Sequence, residues 1–261
     1  MKNVVIGGAW PYANSPLHLG HLVALLPGDF LARYHRKIGD NVMYVSGTDC
    51  HGTPITLRAK KENKSPKDIS DYYNKEFSEA FNKMNFSYNL YTQTETEYHK
   101  EKVQQIFRKI YDNGYIVEKE EMQSYCPKCE KFLADRELVL KCPNCGRETK
   151  AEQCDCGYVP TPEDLKKARC QECGTDVIEK ENKNLFLTLE KLQPKIEEYV
   201  EKNKAQWRKN AQNETMKYLK QGLIDRAVTR DLEWGVDIPL EGYENKKMYV
   251  WIEAVLGYIT A

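Results

Sequence analysis

The chain has 261 residues, 41% of them hydrophobic and 30% charged, with 39 Lys+Arg balancing 39 Asp+Glu. This is a globular composition, enough for one large domain or two ordinary ones, and it lacks the basic excess of a dedicated nucleic-acid binder, although a local patch is invisible in the sum. No run approaches the roughly 20 apolar residues of a membrane span, and MKNVVIGGAW is too short and Gly-rich for a signal peptide, so a cytoplasmic protein with no membrane partner is expected.

KNVVIGG (2–8) suits a buried strand running into a loop, and AWPYANSP, with two prolines, is that loop. From His18 to about Ile38 apolar residues recur at helical spacing (Leu22, Leu25, Leu26, Phe30, Leu31, Tyr34), with Pro27-Gly28 expected to kink or restart the helix and Gly39 to end it. NVMYVSG (41–47) is a second buried strand. Strand, helix and strand over about fifty residues make a βαβ unit, hence an α/β fold with a parallel sheet. Thr53–Asn63, Ser65–Asn85 and Glu95–Asn113 read as helices, the second opened by a Ser65 cap and Pro66. From Tyr115 to about Lys183 the texture becomes short alternating pieces, charged turns and cysteines. This reads as an inserted module held by metal, with too few apolar residues for its own core. Helices near Gln193–Lys202 and Ala211–Gly222 follow. KKMYVWIEAVLGYITA then returns to strand and helix, so the α/β domain is split by the insertion.

Two constellations carry chemistry. His18-Leu-Gly-His21 stands at a helix start, where free N–H groups and the helix dipole attract phosphate and imidazoles can donate hydrogen bonds. Taken alone, the spacing equally fits a surface or metal-binding pair, and it matches neither GxGxxG nor the P-loop. The second is cysteine. Eight of nine cysteines fall within Cys126–Cys173: Cys126/Cys129, Cys142/Cys145 and Cys170/Cys173 as CxxC, and Cys154/Cys156 as CxC. In a reducing compartment this reads as two four-thiolate metal sites, zinc before iron–sulfur. Cys50 stands apart, as a small buried residue and not a nucleophile.

PYANSPLHLGH resembles the HIGH motif of class I aminoacyl-tRNA synthetases. SGTDCHGTPI (46–55), YVWIEAVLGY (249–258) and VTRDLEWGVDIP (228–239) resemble, in order, segments of the methionyl-tRNA synthetase family within that class. The resemblance spans the whole chain. It implies a Rossmann-like parallel sheet, incomplete here, in three parts: 1–114 and 227–261 from the catalytic domain, and 115–226 as an inserted connective domain with zinc knuckles at about 124–175. It implies that His18 and His21 contact the phosphates of ATP with Gly20 under the adenine. Asp49 and the backbone of Trp10 would hold the methionine α-amino group. Tyr12, Trp251, Ala254 and Tyr258 would line the thioether pocket, and Arg230 would lie near the carboxylate. Residue by residue, Trp251 reads equally as a core aromatic and Asp49 as a helix N-cap. Aromatic walls do suit a polarisable thioether and a carboxylate suits an ammonium.

The resemblance also implies nested cysteine pairing. Cys142, Cys145, Cys154 and Cys156 would form the inner site; Cys126, Cys129, Cys170 and Cys173 would form the outer, and the CxC departs from the usual pattern. The expected activity is ATP-dependent ligation of methionine to tRNA(Met) through a methionyl-adenylate, with magnesium accompanying ATP and a monomer in this region. No KMSKS segment occurs in 1–261, so the chain is expected to be an N-terminal fragment with little activity alone. Two alternatives are an isoleucyl-like class I synthetase and a non-catalytic zinc-ribbon module that binds RNA.

Overall fold

The computed structural model describes residues 1–134, 137–151 and 153–261; Asp135, Arg136 and Glu152 of the expected knuckle stretch lie outside the described residues. Strand β1 (Asn3–Gly7) pairs in parallel with β2 (Asn41–Thr48), which pairs in parallel with β3 (Leu90–Gln93), giving the order β1-β2-β3. Helix α1 (Leu19–Lys37) is the crossover between the first two strands. It runs through Pro27 without the expected restart. Gly28 there faces the Tyr44 ring, 3.1 Å from where a Cβ would stand, and the Tyr44 hydroxyl donates to Leu25 O at 3.2 Å. Both contacts seat the turn around Pro27 on β2.

Burial differs from the sequence reading at two places. β1 is half-buried on one face only, with Val5 74% exposed, because β2 is its one neighbour among the described residues. In α1 the buried positions are Leu25, Asp29 and Ala32, while Phe30, Leu31 and Tyr34 are exposed. The helix buries only a narrow i, i+4, i+7 stripe, one large apolar residue followed by a paired carboxylate and a small residue.

Helix α2 (Thr53–Glu62) and helix α3 (Pro66–Lys83) follow β2. Ser65 caps α3: its Oγ accepts from Asp68 N at 3.1 Å, with Pro66 in the first turn. Ile69, Tyr73, Phe77 and Phe81 recur at four-residue spacing on α3 and bury against Ile55 and Ala59 of α2. Phe81 is the hub of an aromatic cluster, with Phe86, Tyr88 and Tyr91 at 5.0, 5.6 and 5.1 Å. These rings bring the chain from α3 into β3. Helix α4 (Glu97–Asp112) buries His99, Val103 and Phe107.

The chain divides into two compact units, Met1–Phe107 with Leu232–Ala261, and Arg108–Asp231. The second unit is built on a long two-stranded ribbon, β4 (Ile116–Cys126) against β9 (Ile178–Leu187). It pairs antiparallel from Ile116↔Leu187 to Tyr125↔Ile178. β5 (Lys131–Phe132) and β10 (Arg226–Ala227) flank it in the order β10-β9-β4-β5. One face is polar and buried: Asn182 donates to Gln123 and Asp231 at 2.6 Å each, and Asn184 Oδ1 accepts from Thr229 at 2.9 Å. Beyond the ribbon lies a small sheet of β6 (Leu138–Lys141), β7 (Glu148–Lys150) and β8 (Arg169–Cys170), in the order β7-β6-β8, with the short helix α5 (Pro162–Leu165). Contrary to the expectation of no core, Leu133, Leu138, Leu140, Ala168 and Val177 bury together with Cys126 and Cys170. Helices α6 (Leu189–Asn203) and α7 (Lys209–Gln221) and the short strand β11 (Thr229–Arg230) complete this unit. In the first unit, β12 (Lys247–Met248) leads into α8 (Val250–Thr260). No helix among the described residues is long and apolar enough to cross a membrane.

Phe81→Ala should cost about 3–5 kcal/mol, because three rings lose their hub in a site too well packed to collapse. A urea titration followed by far-UV circular dichroism measures it, and a cost below about 1 kcal/mol would mean β3 is held otherwise.

Candidate active site and metal centres

The loop after β1 runs alongside the continuation of β2. Gly8 N donates to Val45 O at 2.8 Å, Asp49 N to Pro11 O and Ala13 N to Asp49 O at 2.9 Å each, so Tyr12 and Asp49 form a parallel bridge. The sequence thereby places Asp49 one residue past the C-terminal end of a parallel strand, where open α/β sheets bind ligands. Asp49 is not a helix cap, since Gly52 precedes α2 and offers no side chain.

Two buried aspartates show what is unusual about Asp49. Asp29 accepts from Ser87 N, Ser87 Oγ and Arg33 Nε, each at 2.6 Å. Burial opposes its charge, yet those donors hold its carboxyl below the usual range. Asp49, 5% exposed, accepts from His51 N at 3.3 Å. Burial, then the charge of Glu253, push its carboxyl well above the usual range. A buried carboxylate short of donors at a strand end is an arrangement suited to a cationic ligand.

Behind it lies a network with no signal in the sequence reading. His51, 1% exposed, meets Glu253 Oε1 with Nδ1 at 2.9 Å and Glu95 Oε2 with Nε2 at 2.7 Å. Burial works against its charge, but the two carboxylates raise it to about 9. Glu253 is fully buried on α8, and its Oε2 meets His99 Nε2 at 2.9 Å. Lys100 Nζ closes the outer end on Glu95 at 2.6 Å. Trp234 donates to Cys50 O at 2.7 Å and sets its ring edge-on to His51 at 5.5 Å. Cys50 is fully buried, and burial followed by the nearby Asp49 pushes its thiol up, away from nucleophilic reactivity.

Of the expected pocket residues, Trp10 is wedged between β2 and α8. A Cβ on Gly47 would stand 2.5 Å from its ring and one on Gly257 2.8 Å away. Its Nε1 is buried with no partner, its backbone makes no hydrogen bond among the described residues, and Tyr258 lies edge-on at 5.9 Å. Tyr12 packs on the core around Ile55. Ala254 is half-buried, Tyr258 also packs on Gly7, and Trp251 is 61% exposed, so it is no core aromatic. Arg230 belongs to the second unit, on β11, with Nη1 donating to Thr229 O at 2.9 Å.

His18 and His21 form a reciprocal cap at the start of α1. Gly20 N donates to His18 Nδ1 at 3.1 Å, His18 N donates to His21 Nδ1 at 3.2 Å, and the rings stack at 3.9 Å. Each Nδ1 is an acceptor, which assigns the proton of each neutral ring to Nε2 and aims that donor away from the backbone. Burial and His18 lower the His21 imidazole further. Gly20 has a second reason to be glycine: a Cβ would stand 2.9 Å from the folded-back His18 ring.

The cysteines gather in the two sets that the resemblance implies: Cys126, Cys129, Cys170 and Cys173, and Cys142, Cys145, Cys154 and Cys156, with all sulfurs of a set within 4.8 Å. Cross-pairs stand at 3.4 Å (Cys126–Cys173), 3.9 Å (Cys129–Cys170), 3.7 Å (Cys142–Cys156) and 3.6 Å (Cys145–Cys154). Four sulfurs around one ion at about 2.3 Å would stand about 3.8 Å apart, so both sets fit a tetrahedral metal. The residue after each knuckle is left-handed: Gly146, Gly157 and Gly174, but Glu130 in the first, at φ 52°. Hydrogen bonds from Thr175 and from the Arg147 backbone hold Cys173 and Cys145 at about 6, ready as thiolates.

Stability should fall on the alkaline side because of His51. Its folded value is raised above the ordinary one, so its contribution is complete below about pH 6.5 and is lost as pH rises through about 9, when Glu95 and Glu253 lose the cation they share. Urea midpoints from about pH 7 to 10 measure this. A His51→Gln chain with the same alkaline slope would assign the loss elsewhere.

The chain is 52% identical to methionine–tRNA ligase 1 of Alkaliphilus oremlandii over 259 residues, which cover 99% of this chain and 48% of that protein. It is 50% and 48% identical to methionine–tRNA ligases of Bacillus mycoides and Streptococcus pneumoniae, with the same coverage. It thus spans about half the length of the curated relatives it matches. A solved Mycobacterium tuberculosis methionyl-tRNA synthetase in complex with methionyl-adenylate superposes with a TM-score of 0.76 at 22% identity, covering 100% of this chain and 47% of that one, and shares the fold. The family model described as tRNA synthetases class I (M) matches residues 4–261, and the chain belongs to that family.

Proposed function

We propose that this chain carries the amino-acid and metal sites of an enzyme that ligates methionine to tRNA(Met), using ATP and a methionyl-adenylate intermediate. The observation that carries the reading is Asp49: a buried carboxylate short of donors, at a strand end, bridged to Tyr12. The α-ammonium would pair with it and with the Trp10 carbonyl. Tyr12, Trp251, Ala254 and Tyr258 would surround the thioether, which favours aromatic neighbours by about 0.3–1.5 kcal/mol. The Nε2–H donors of His18 and His21 face away from the helix start they cap, a position suited to ATP phosphates. In the first step the methionine carboxylate attacks the α-phosphorus and pyrophosphate leaves. In the second the terminal adenosine of the tRNA takes the methionyl group. Positioning and charge stabilisation suffice, without a covalent enzyme intermediate. Magnesium bound with ATP would neutralise phosphate charge.

Each four-cysteine set would hold one zinc ion, which in such sites supplies folding free energy and no chemistry. Elemental analysis should find two zinc ions per chain. Iron in place of zinc would overturn the assignment, and one zinc would leave one set without its ion. Cys142→Ser should release one ion and lower the unfolding midpoint.

Asp49→Asn should weaken calorimetrically measured methionine binding by about 3–5 kcal/mol, since the ammonium loses its charged partner in a buried setting. Unchanged affinity would remove Asp49 from the site.

A further inference from the structure

The buried cluster around Asp49 shares its partners unequally among three carboxylates, Asp49, Glu95 and Glu253. His51 meets Glu95 and Glu253, Lys100 meets Glu95, and His99 lies between Glu253 Oε2 at 2.9 Å and Thr260 Oγ1 at 2.8 Å. Burying an uncompensated charge is expensive, so an empty site takes up a proton. The geometry says where. Glu253 has His51 on one oxygen and His99 on the other, and Glu95 has His51 and Lys100. Among the described residues Asp49 has one backbone N–H at 3.3 Å and no cationic side chain at hydrogen-bond distance.

We propose that Asp49 binds the substrate ammonium by exchanging it for a proton, and that Glu253, which touches no substrate, is the positioning residue that enforces the exchange. This rests on the reading of Asp49 as the ammonium partner. The step balances: the carboxylic acid loses its proton to solvent, and the resulting carboxylate pairs with an ammonium that keeps all three of its own. The groups facing Asp49 are Glu253 from α8, His51 and Cys50 from the loop after β2, Glu95, His99 and Lys100 behind His51, and Tyr12 across the bridge. Among them Glu253 is the carboxylate whose charge acts on Asp49. A neutral ligand, or one carrying only a carboxylate, cannot replace the proton, so the exchange selects primary ammonium compounds. Because the competitor is a proton, affinity rises with pH through the Asp49 midpoint and is flat above it.

Calorimetric titration of the 261-residue chain with methionine, in two buffers of different ionisation enthalpy between about pH 5 and 8, reads the released protons directly. Expected are proton release and affinity rising up to about tenfold per pH unit below the midpoint. The deaminated analogue, with the same thioether and carboxylate, should release none. Glu253→Gln should reduce the release, flatten the pH dependence and weaken binding at the alkaline end, and Glu253→Asp should restore all three. A merely structural Glu253 would weaken binding equally at every pH, and that result overturns the proposal. Should Glu253→Gln not fold, the carbon-13 carboxyl titration of Asp49 in the ligand-free wild-type chain decides: a midpoint in the ordinary aspartate range overturns the exchange. Methionine binding without proton release overturns the exchange alone. No methionine binding at all overturns the assignment of the site together with it.

Discussion

One imidazole holds the first unit's functional end together. His51 is buried between Glu95 and Glu253, so a single side chain ties the loop after β2 to residues 44 and 202 positions further along the chain. Removing one member of such a buried pair typically costs about 3–5 kcal/mol, because the partner is left charged and dry. The clamp therefore does more than add stability. It fixes the azimuth of α8: Glu253 must point at His51, and once it does, Trp251 and Tyr258 are set on the rest of the helix surface. The same clamp puts negative charge beside Asp49. Helix placement and the field at the strand end come from one interaction.

The two ends of the expected site are prepared differently. At α1 the preparation is local, because the His21 ring accepts from His18 N and the His18 ring from Gly20 N, which fixes the ring nitrogen that carries a proton. At Asp49 it is long-range and electrostatic, and it depends on residues that would never touch a ligand. A substitution in the first region acts on hydrogen-bond direction, whereas one in the second acts on charge.

Much of this was legible in the sequence. Parallel strands, the crossover helix, the Ser65 cap and the cysteine knuckles all rest on short-range patterns: apolar spacing, a proline after a serine, CxxC; the division of the knuckles into two sets comes from the family resemblance. Three features were not, each for a physical reason. β3 is four residues with two polar side chains, LYTQ, and it is a strand because Phe81, Phe86 and Tyr88 deliver it to β2. The arms of the long ribbon, IVEKEEMQSYC and IEKENKNLFL, read as charged turns because their buried aliphatic and aromatic residues, Ile116, Leu185 and Phe186, are confined to one end and the next buried positions along are Asn182 and Asn184. The network of His51, Glu95, His99 and Glu253 has no periodicity. His51 and Glu253 sit inside the segments that carried the family resemblance, yet only tertiary contact shows that they meet.

The seat of Trp10 constrains more than its own position. Its indole fills space that exists because residues 47 and 257, on a strand and a helix far apart in the chain, have no side chains. Overpacking such a slot by even one methyl group costs about 1–3 kcal/mol. The three positions are therefore coupled: bulk at 47 or 257 is accommodated without that cost only where residue 10 is smaller, so a substitution at either glycine is tolerated in a chain whose residue 10 has been reduced first and penalised in one that keeps the indole.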